Sequence, residues 1–123
     1  MALINKMRSA ADPYLRPGEL VQALIGAQTH SNYLAMLTGF WILLVLNRYR
    51  MIVVTSDRVL VLDTGRFGFT KVRGVVTELP RDTRLGPARG AAWYRVQVGE
   101  ETLRVHRRFF RQIEQSDLEA LVS

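Results

Sequence analysis

Two runs of aliphatic and β-branched residues, Met51-Ile52-Val53-Val54-Thr55 and Arg58-Val59-Leu60-Val61-Leu62, flank the dipeptide Ser56-Asp57. β-Branched side chains lose χ1 freedom in a helix and pack well on a pleated surface. A two-residue break between such runs is the spacing of a tight hairpin. The chain must therefore build antiparallel sheet around residues 51–62, and its other segments have to extend or cover that sheet.

The remaining segments predict mostly the same structure. Pro17-Gly18 reads as a turn, Glu19 to Ala27 as a first strand, and Asp63 to Phe69 as a glycine-bearing loop. Thr70 to Leu79 predicts a strand stopped by Pro80. Arg81 to Gly90 predicts a loop with at most a brief strand at Thr83 to Leu85. Tyr94, Val96 and Val98, then Leu103 and Val105, alternate with polar residues around Gly99-Glu100, the pattern of a second hairpin. Leu3, Ile4, Met7, Ala10 and Ala11 recur at helical spacing up to Asp12-Pro13, which ends the helix. Phe110, Ile113, Asp117, Leu118 and Leu121 do the same after Arg107, predicting a helix from about Arg108 to Leu121 with Phe110, Ile113 and Leu118 buried. The expected fold is mostly β: a bent antiparallel sheet or small barrel of about six or seven strands, capped by a C-terminal amphipathic helix, with a short N-terminal helix over 1–13 and one domain over 14–123.

Tyr33 to Leu46 is a stretch of 14 residues without a charge. It is too short to span a hydrocarbon core of about 30 Å as a helix. Extending it through Arg48 and Arg50 would bury two arginines at about 2.5–3.5 kcal/mol each. The segment is then core, an interface between chains, or a contact with a membrane or partner. The hairpins and the terminal helix already supply the apolar groups one small core needs. The surplus, including Phe40 and Trp41, therefore predicts self-association or detergent dependence.

The hairpin Val53-Val54-Thr55-Ser56-Asp57-Arg58-Val59-Leu60-Val61-Leu62 resembles the turn of bacterial pleckstrin-homology-like (PH-like, YokE-type) domains, which carry a Val-Thr-Asp-Arg-Arg-type sequence between two apolar strands. The opening Pro17-Gly18-Glu19-Leu20-Val21 and the closing Val105-His106-Arg107-Arg108-Phe109-Phe110 resemble the same family, so the likeness covers roughly residues 14 to 121. It departs at Ser56, inserted in the turn, and at the apolar run between the first two strands. In eukaryotic members of the wider family that connection is basic and helps hold phosphoinositide headgroups. The resemblance implies the bent sheet with its closing helix and a role as a non-catalytic adaptor.

Composition narrows the function further. There is no cysteine, and the two histidines, His30 and His106, have no metal-ligand spacing to other donors. His106 falls on the outer side of its strand, where a solvated ring is expected. The acids are scattered singly in turns and strand ends, no phosphate loop or nucleophile elbow occurs, and no cofactor is implied. The chain reads as a binding module, not an enzyme. Met1 to Ala11 lacks the apolar region of a secretory signal, which predicts a cytoplasmic protein, peripheral at most at the inner face of the cell membrane.

The net charge is +6, carried by 17 basic residues of which only Lys6 and Lys71 are lysines. Such a balance favours phosphate-bearing partners. Arg48 and Arg50 beside the apolar run, and Arg66, Phe67, Phe69 and Lys71 in the glycine loop, combine cations with aromatics as a membrane-contacting surface does. With Phe40 and Trp41 they form the candidate site. Arg73, Arg95 and Arg104 are read as solvated strand positions that guard sheet edges. Nucleic acid is the less favoured partner, because the aromatics do not alternate with basic residues along one strand. The partner expected is an anionic membrane surface or a membrane protein, or else a homo-oligomer or larger complex joined through residues 33–46.

Overall fold

The structure, a computed structural model, describes residues 3–29, 48–65, 68–86, 93–98 and 101–121. Among them lie β1 (Val21–Gln28), β2 (Tyr49–Thr55), β3 (Arg58–Gly65), β4 (Gly74–Pro80), β5 (Trp93–Val98) and β6 (Glu101–His106). They are bracketed by α1 (Leu3–Ala11) and α2 (Phe110–Leu121), with 3-10 turns at Asp12–Tyr14 and Arg107–Phe109. The strands form one antiparallel sheet in the order β4-β3-β2-β1-β6-β5, curled into a half-barrel. This is the mostly-β architecture with a helix at each end that the sequence predicts.

The β2–β3 hairpin is its centre. Val54 pairs with Val59, Val53 with Leu60, Ile52 with Val61 and Met51 with Leu62, and all eight are buried. Burial on both faces explains the unbroken apolar runs, which a half-solvated sheet would interrupt with polar residues. Each such side chain contributes about 1.5–3 kcal/mol on leaving water. Thr55 closes the turn: its Oγ1 accepts the N–H groups of Asp57 and Arg58, both at 3.2 Å. Met7 and Ala11 of α1, with Phe109 and Ile113 at the other end of the chain, complete the same core.

Several boundaries differ from the sequence reading. The first strand begins at Val21 rather than Glu19, because the Glu19 side chain is engaged elsewhere. β3 continues through Asp63 and Thr64 to Gly65, whose φ of +85° ends the strand. β4 starts only at Gly74 and includes Pro80. Proline is tolerated there because β4 is an edge strand, where an N–H is dispensable. Arg81 to Gly86 is loop, as the sequence predicts, with no strand at Thr83 to Leu85. That stretch is tied to α2 instead, with the Asp117 carboxylate accepting the N–H groups of Leu85 and Gly86 at 2.9 and 3.0 Å.

The buried seam of α2 also runs differently. Phe109, Ile113 and Ser116 are buried, Phe110 is half-buried, and Leu118 is 61% exposed. The 3-10 turn hands Phe109 to the core, and the i, i+4, i+7 row from it passes through Ser116 and leaves Leu118 facing out. Arg81 fastens this helix to the sheet. Its guanidinium is buried and donates to Gln22 Oε1 at 2.8 Å and to the Ser116 carbonyl at 3.2 Å. Burial lowers its pKa, and the nearby Glu119 and Asp117 carboxylates oppose that shift.

Candidate functional site

Tyr49, Gln28 and Arg104 form one rung across three neighbouring strands: Gln28 is opposite Tyr49 on β2 and opposite Arg104 on β6. Strand alternation places Gly26 and His106 one step along on the same side. The 3-10 turn after His106 then folds Arg108 and Phe109 over this part of the sheet, and Phe69 closes it from the β3–β4 connection. The result is a cleft of about 260 Å³ lined by the residues of these segments. No carboxylate is among them.

Three aromatic rings make its apolar wall. Phe69 stands edge-to-face with Tyr49 at 5.1 Å and with Phe109 at 5.9 Å between ring centres. Gly26 permits this: a Cβ there would lie 2.8 Å from Phe69 Cζ and 2.9 Å from Phe109 Cζ, inside contact distance. On the polar side, Arg104 Nη1 donates to the Thr29 carbonyl at 3.1 Å, and the Arg108 guanidinium lies 5.4 Å from the Phe109 ring centre. His106 Nδ1 accepts the Arg108 N–H at 3.2 Å, which starts the turn.

Several other arginines are committed elsewhere in the fold. Arg50 pairs with Asp63 at 3.1 Å. Arg58 pairs with Glu19 and Glu78, and Arg16 with Glu78. Arg81 is tied to Gln22 and Ser116. Among the described residues no carboxylate pairs with Arg104 or Arg108. An aromatic wall can also serve a cationic ligand. Here a second positive charge about 4 Å from a guanidinium would be repelled by about 4 kcal/mol at an effective dielectric of about 20. The chemistry of the cleft is therefore that of an anion holder with an apolar side.

Of the residues the sequence proposed, Phe40, Trp41, Arg66 and Phe67 lie outside the described residues. Arg48 stands at the neck of the connection, where its N–H donates to Thr29 Oγ1 and its carbonyl accepts the Thr29 N–H, both at 2.9 Å. Lys71 is exposed. Arg50 is neutralised by Asp63. Phe69 is half-buried, packed on Phe109 and Tyr49 at the cleft. Arg104 and His106, read as solvated strand positions, are half-buried and line the cleft together with Arg108, which the sequence left unassigned. The signal was Gly26, a glycine inside an apolar strand, which marks a close approach of other groups.

Among the described residues no group of three potential ligands could hold a metal ion, and no helix is long and apolar enough to cross a membrane. Comparison with protein-family models, with curated proteins and with solved structures finds no match.

Proposed function

We propose that this chain is a non-catalytic binding module, a PH-like adaptor that docks on an anionic membrane surface through the end of the sheet carrying Arg48, Lys71, Arg104 and Arg108. The observation that carries this reading is the pair Arg104 and Arg108, which line a cleft beside an aromatic wall with no carboxylate among its lining residues and, among the described residues, none paired with either. The charge-free run 33–46 supports it, since Thr29 and Arg48 fix its point of departure at this same end. Cations that meet lipid phosphates and aromatics that sit at headgroup level are what such a surface requires. Anchorage of this kind would hold the protein at the inner face of the cell membrane.

Cosedimentation with vesicles tests the reading. Binding to anionic vesicles should exceed binding to zwitterionic ones and fall as salt is raised from low to physiological strength, where the screening length is about 8 Å. Arg66→Glu with Lys71→Glu should weaken it without unfolding the domain. Equal binding to both vesicle types, or none to either, would remove the membrane reading. A salt-resistant oligomer under those conditions would transfer the function of residues 33–46 to self-association.

A further inference from the structure

We infer that the cleft is a discrete seat for one phosphate monoester bearing a short apolar group, its phosphoryl oxygens held by Arg104 and Arg108 and its apolar part lying against Phe69, Tyr49 and Phe109. This deepens the membrane-surface reading. It rests on that reading only in taking the ligand to be an anion, since diffuse attraction to a charged surface needs no pocket.

Three features argue for a seat. The first is that its charge is fixed in place. Arg104 is held through Nη1 by the Thr29 carbonyl, and the Arg108 guanidinium lies against the Phe109 ring. A guanidinium anchored through one nitrogen still offers a planar edge of donors, the shape that meets two phosphoryl oxygens at once. Two such groups suit the three oxygens of a monoester better than the two of a carboxylate.

The second feature is the apolar wall. Phe109 is buried, Phe69 and Tyr49 are half-buried, and Gly26 lets the Phe69 and Phe109 ring ends sit directly against its strand. Inorganic phosphate alone would leave that wall uncovered. The third is size. About 260 Å³ is below the roughly 300–1,000 Å³ of sites for drug-sized ligands. A phosphoryl group and a few carbons match that volume.

Two sources share this chemistry, a monoester headgroup in a bilayer and a small soluble phosphate ester. The experiment is an amide-resolved NMR titration of the full chain with hexyl phosphate, hexanol and inorganic phosphate. It is followed by sedimentation with vesicles containing phosphatidic acid or phosphatidylglycerol at equal surface charge. Hexyl phosphate should shift the amides of Gly26 to Gln28 and Arg104 to Phe109 saturably, with at least tenfold higher affinity than either hexanol or phosphate. Arg108→Gln should lose at least tenfold of that affinity, and Arg108→Lys, which keeps the charge but not the fork, should fall between. Because Arg108 is exposed, both variants keep the fold, as an unchanged thermal melt would verify. Preference for phosphatidic acid assigns the lipid source; indifference between the vesicles with the cleft still filled by hexyl phosphate assigns the soluble one. Shifts that lie elsewhere or fail to saturate, or equal affinity in Arg108→Gln, overturn the seat. Retained binding to anionic vesicles in that case leaves the surface reading standing, whereas hexyl phosphate binding without vesicle binding overturns the surface reading alone.

Discussion

Glu19 and Arg58, 39 residues apart in the chain, meet through two parallel hydrogen bonds: Arg58 Nε to Glu19 Oε2 at 2.9 Å and Nη2 to Oε1 at 3.0 Å. The Glu19 side chain is inaccessible to solvent and also accepts the Thr55 hydroxyl at 2.6 Å and the Arg16 N–H at 2.9 Å. The pair pins the approach to β1 against the β2–β3 turn. Its hydrogen bonds to Arg58 hold the Glu19 carboxyl at about 2, below its ordinary 4.5, against the opposing effect of burial. Arg58 is raised in turn by Glu19 and Glu78.

A depressed folded pKa means that the stabilisation is present in full above the unfolded value near 4.5 and fades as pH falls towards 2. The contribution at neutral pH is on the order of 3 kcal/mol, a large share of the roughly 5–15 kcal/mol typical of a domain. Urea unfolding should show wild-type stability dropping steeply between pH 4.5 and pH 2. Glu19→Gln should cost about 3–5 kcal/mol at pH 7 by leaving Arg58 under-compensated, and should flatten the acid limb. Parallel pH dependences in the two proteins would reject this role.

Both members of that pair stand in segments on which the family resemblance rests, yet their contact was not legible there. Local signals specify strands and turns, whereas a salt bridge between the approach to one strand and the start of another depends on how the sheet curls. The β2–β3 and β5–β6 hairpins were legible because period and turn spacing are local. The cleft was not, since it draws on residues 26–28, 49, 69, 104, 106, 108 and 109. Alternation correctly put Arg104 and His106 on the side opposite Leu103 and Val105. It could not show that the chain after His106 doubles back as a 3-10 turn and covers that side. The same turn moved the helical seam from Phe110 to Phe109.

That shifted seam makes a direct comparison possible. Ile113 is 1% exposed and Leu118 61% exposed. Ile113→Ala should cost about 2–5 kcal/mol through lost burial and a residual cavity, and Leu118→Ala about 0.5 kcal/mol or less. Denaturant midpoints measured for the two variants would check this, and equal losses would mean that α2 is rotated relative to the sheet.

Gly26 sets the spacing of the aromatic wall. Its backbone is not in the left-handed region, so Gly26→Ala is opposed by contact alone: the new methyl would meet the ends of Phe69 and Phe109. Phe109 is locked in the core, leaving Phe69 to move. The substitution should cost about 1–3 kcal/mol, and adding Phe69→Leu should recover part of it. A denaturation curve for Gly26→Ala that overlays the wild type would show that the floor of the cleft is looser than this packing requires.

The two arginines 50 and 108 separate folding from binding. Each removes one positive charge when replaced by Gln, so the long-range attraction to an anionic surface falls equally in both variants. Their local roles differ. The Arg50 side chain is 11% exposed and bonded to Asp63, so Arg50→Gln loses a charge-assisted hydrogen bond and should cost about 1.5–3 kcal/mol of stability. Arg108 is exposed and its guanidinium touches only the Phe109 face among the contacts described, so Arg108→Gln should cost under about 1 kcal/mol. On vesicles the order should reverse. A basic group close to an anionic surface is worth about 1 kcal/mol, so Arg108→Gln should weaken binding about fivefold more than Arg50→Gln does. Urea melts and vesicle cosedimentation on the same two proteins read both halves. Equal losses of binding would mean that only net charge matters and that the surface has no privileged arginine. Stronger loss from Arg50→Gln would mean that Asp63 releases Arg50 to the membrane and that the site lies on β2 rather than at the cleft.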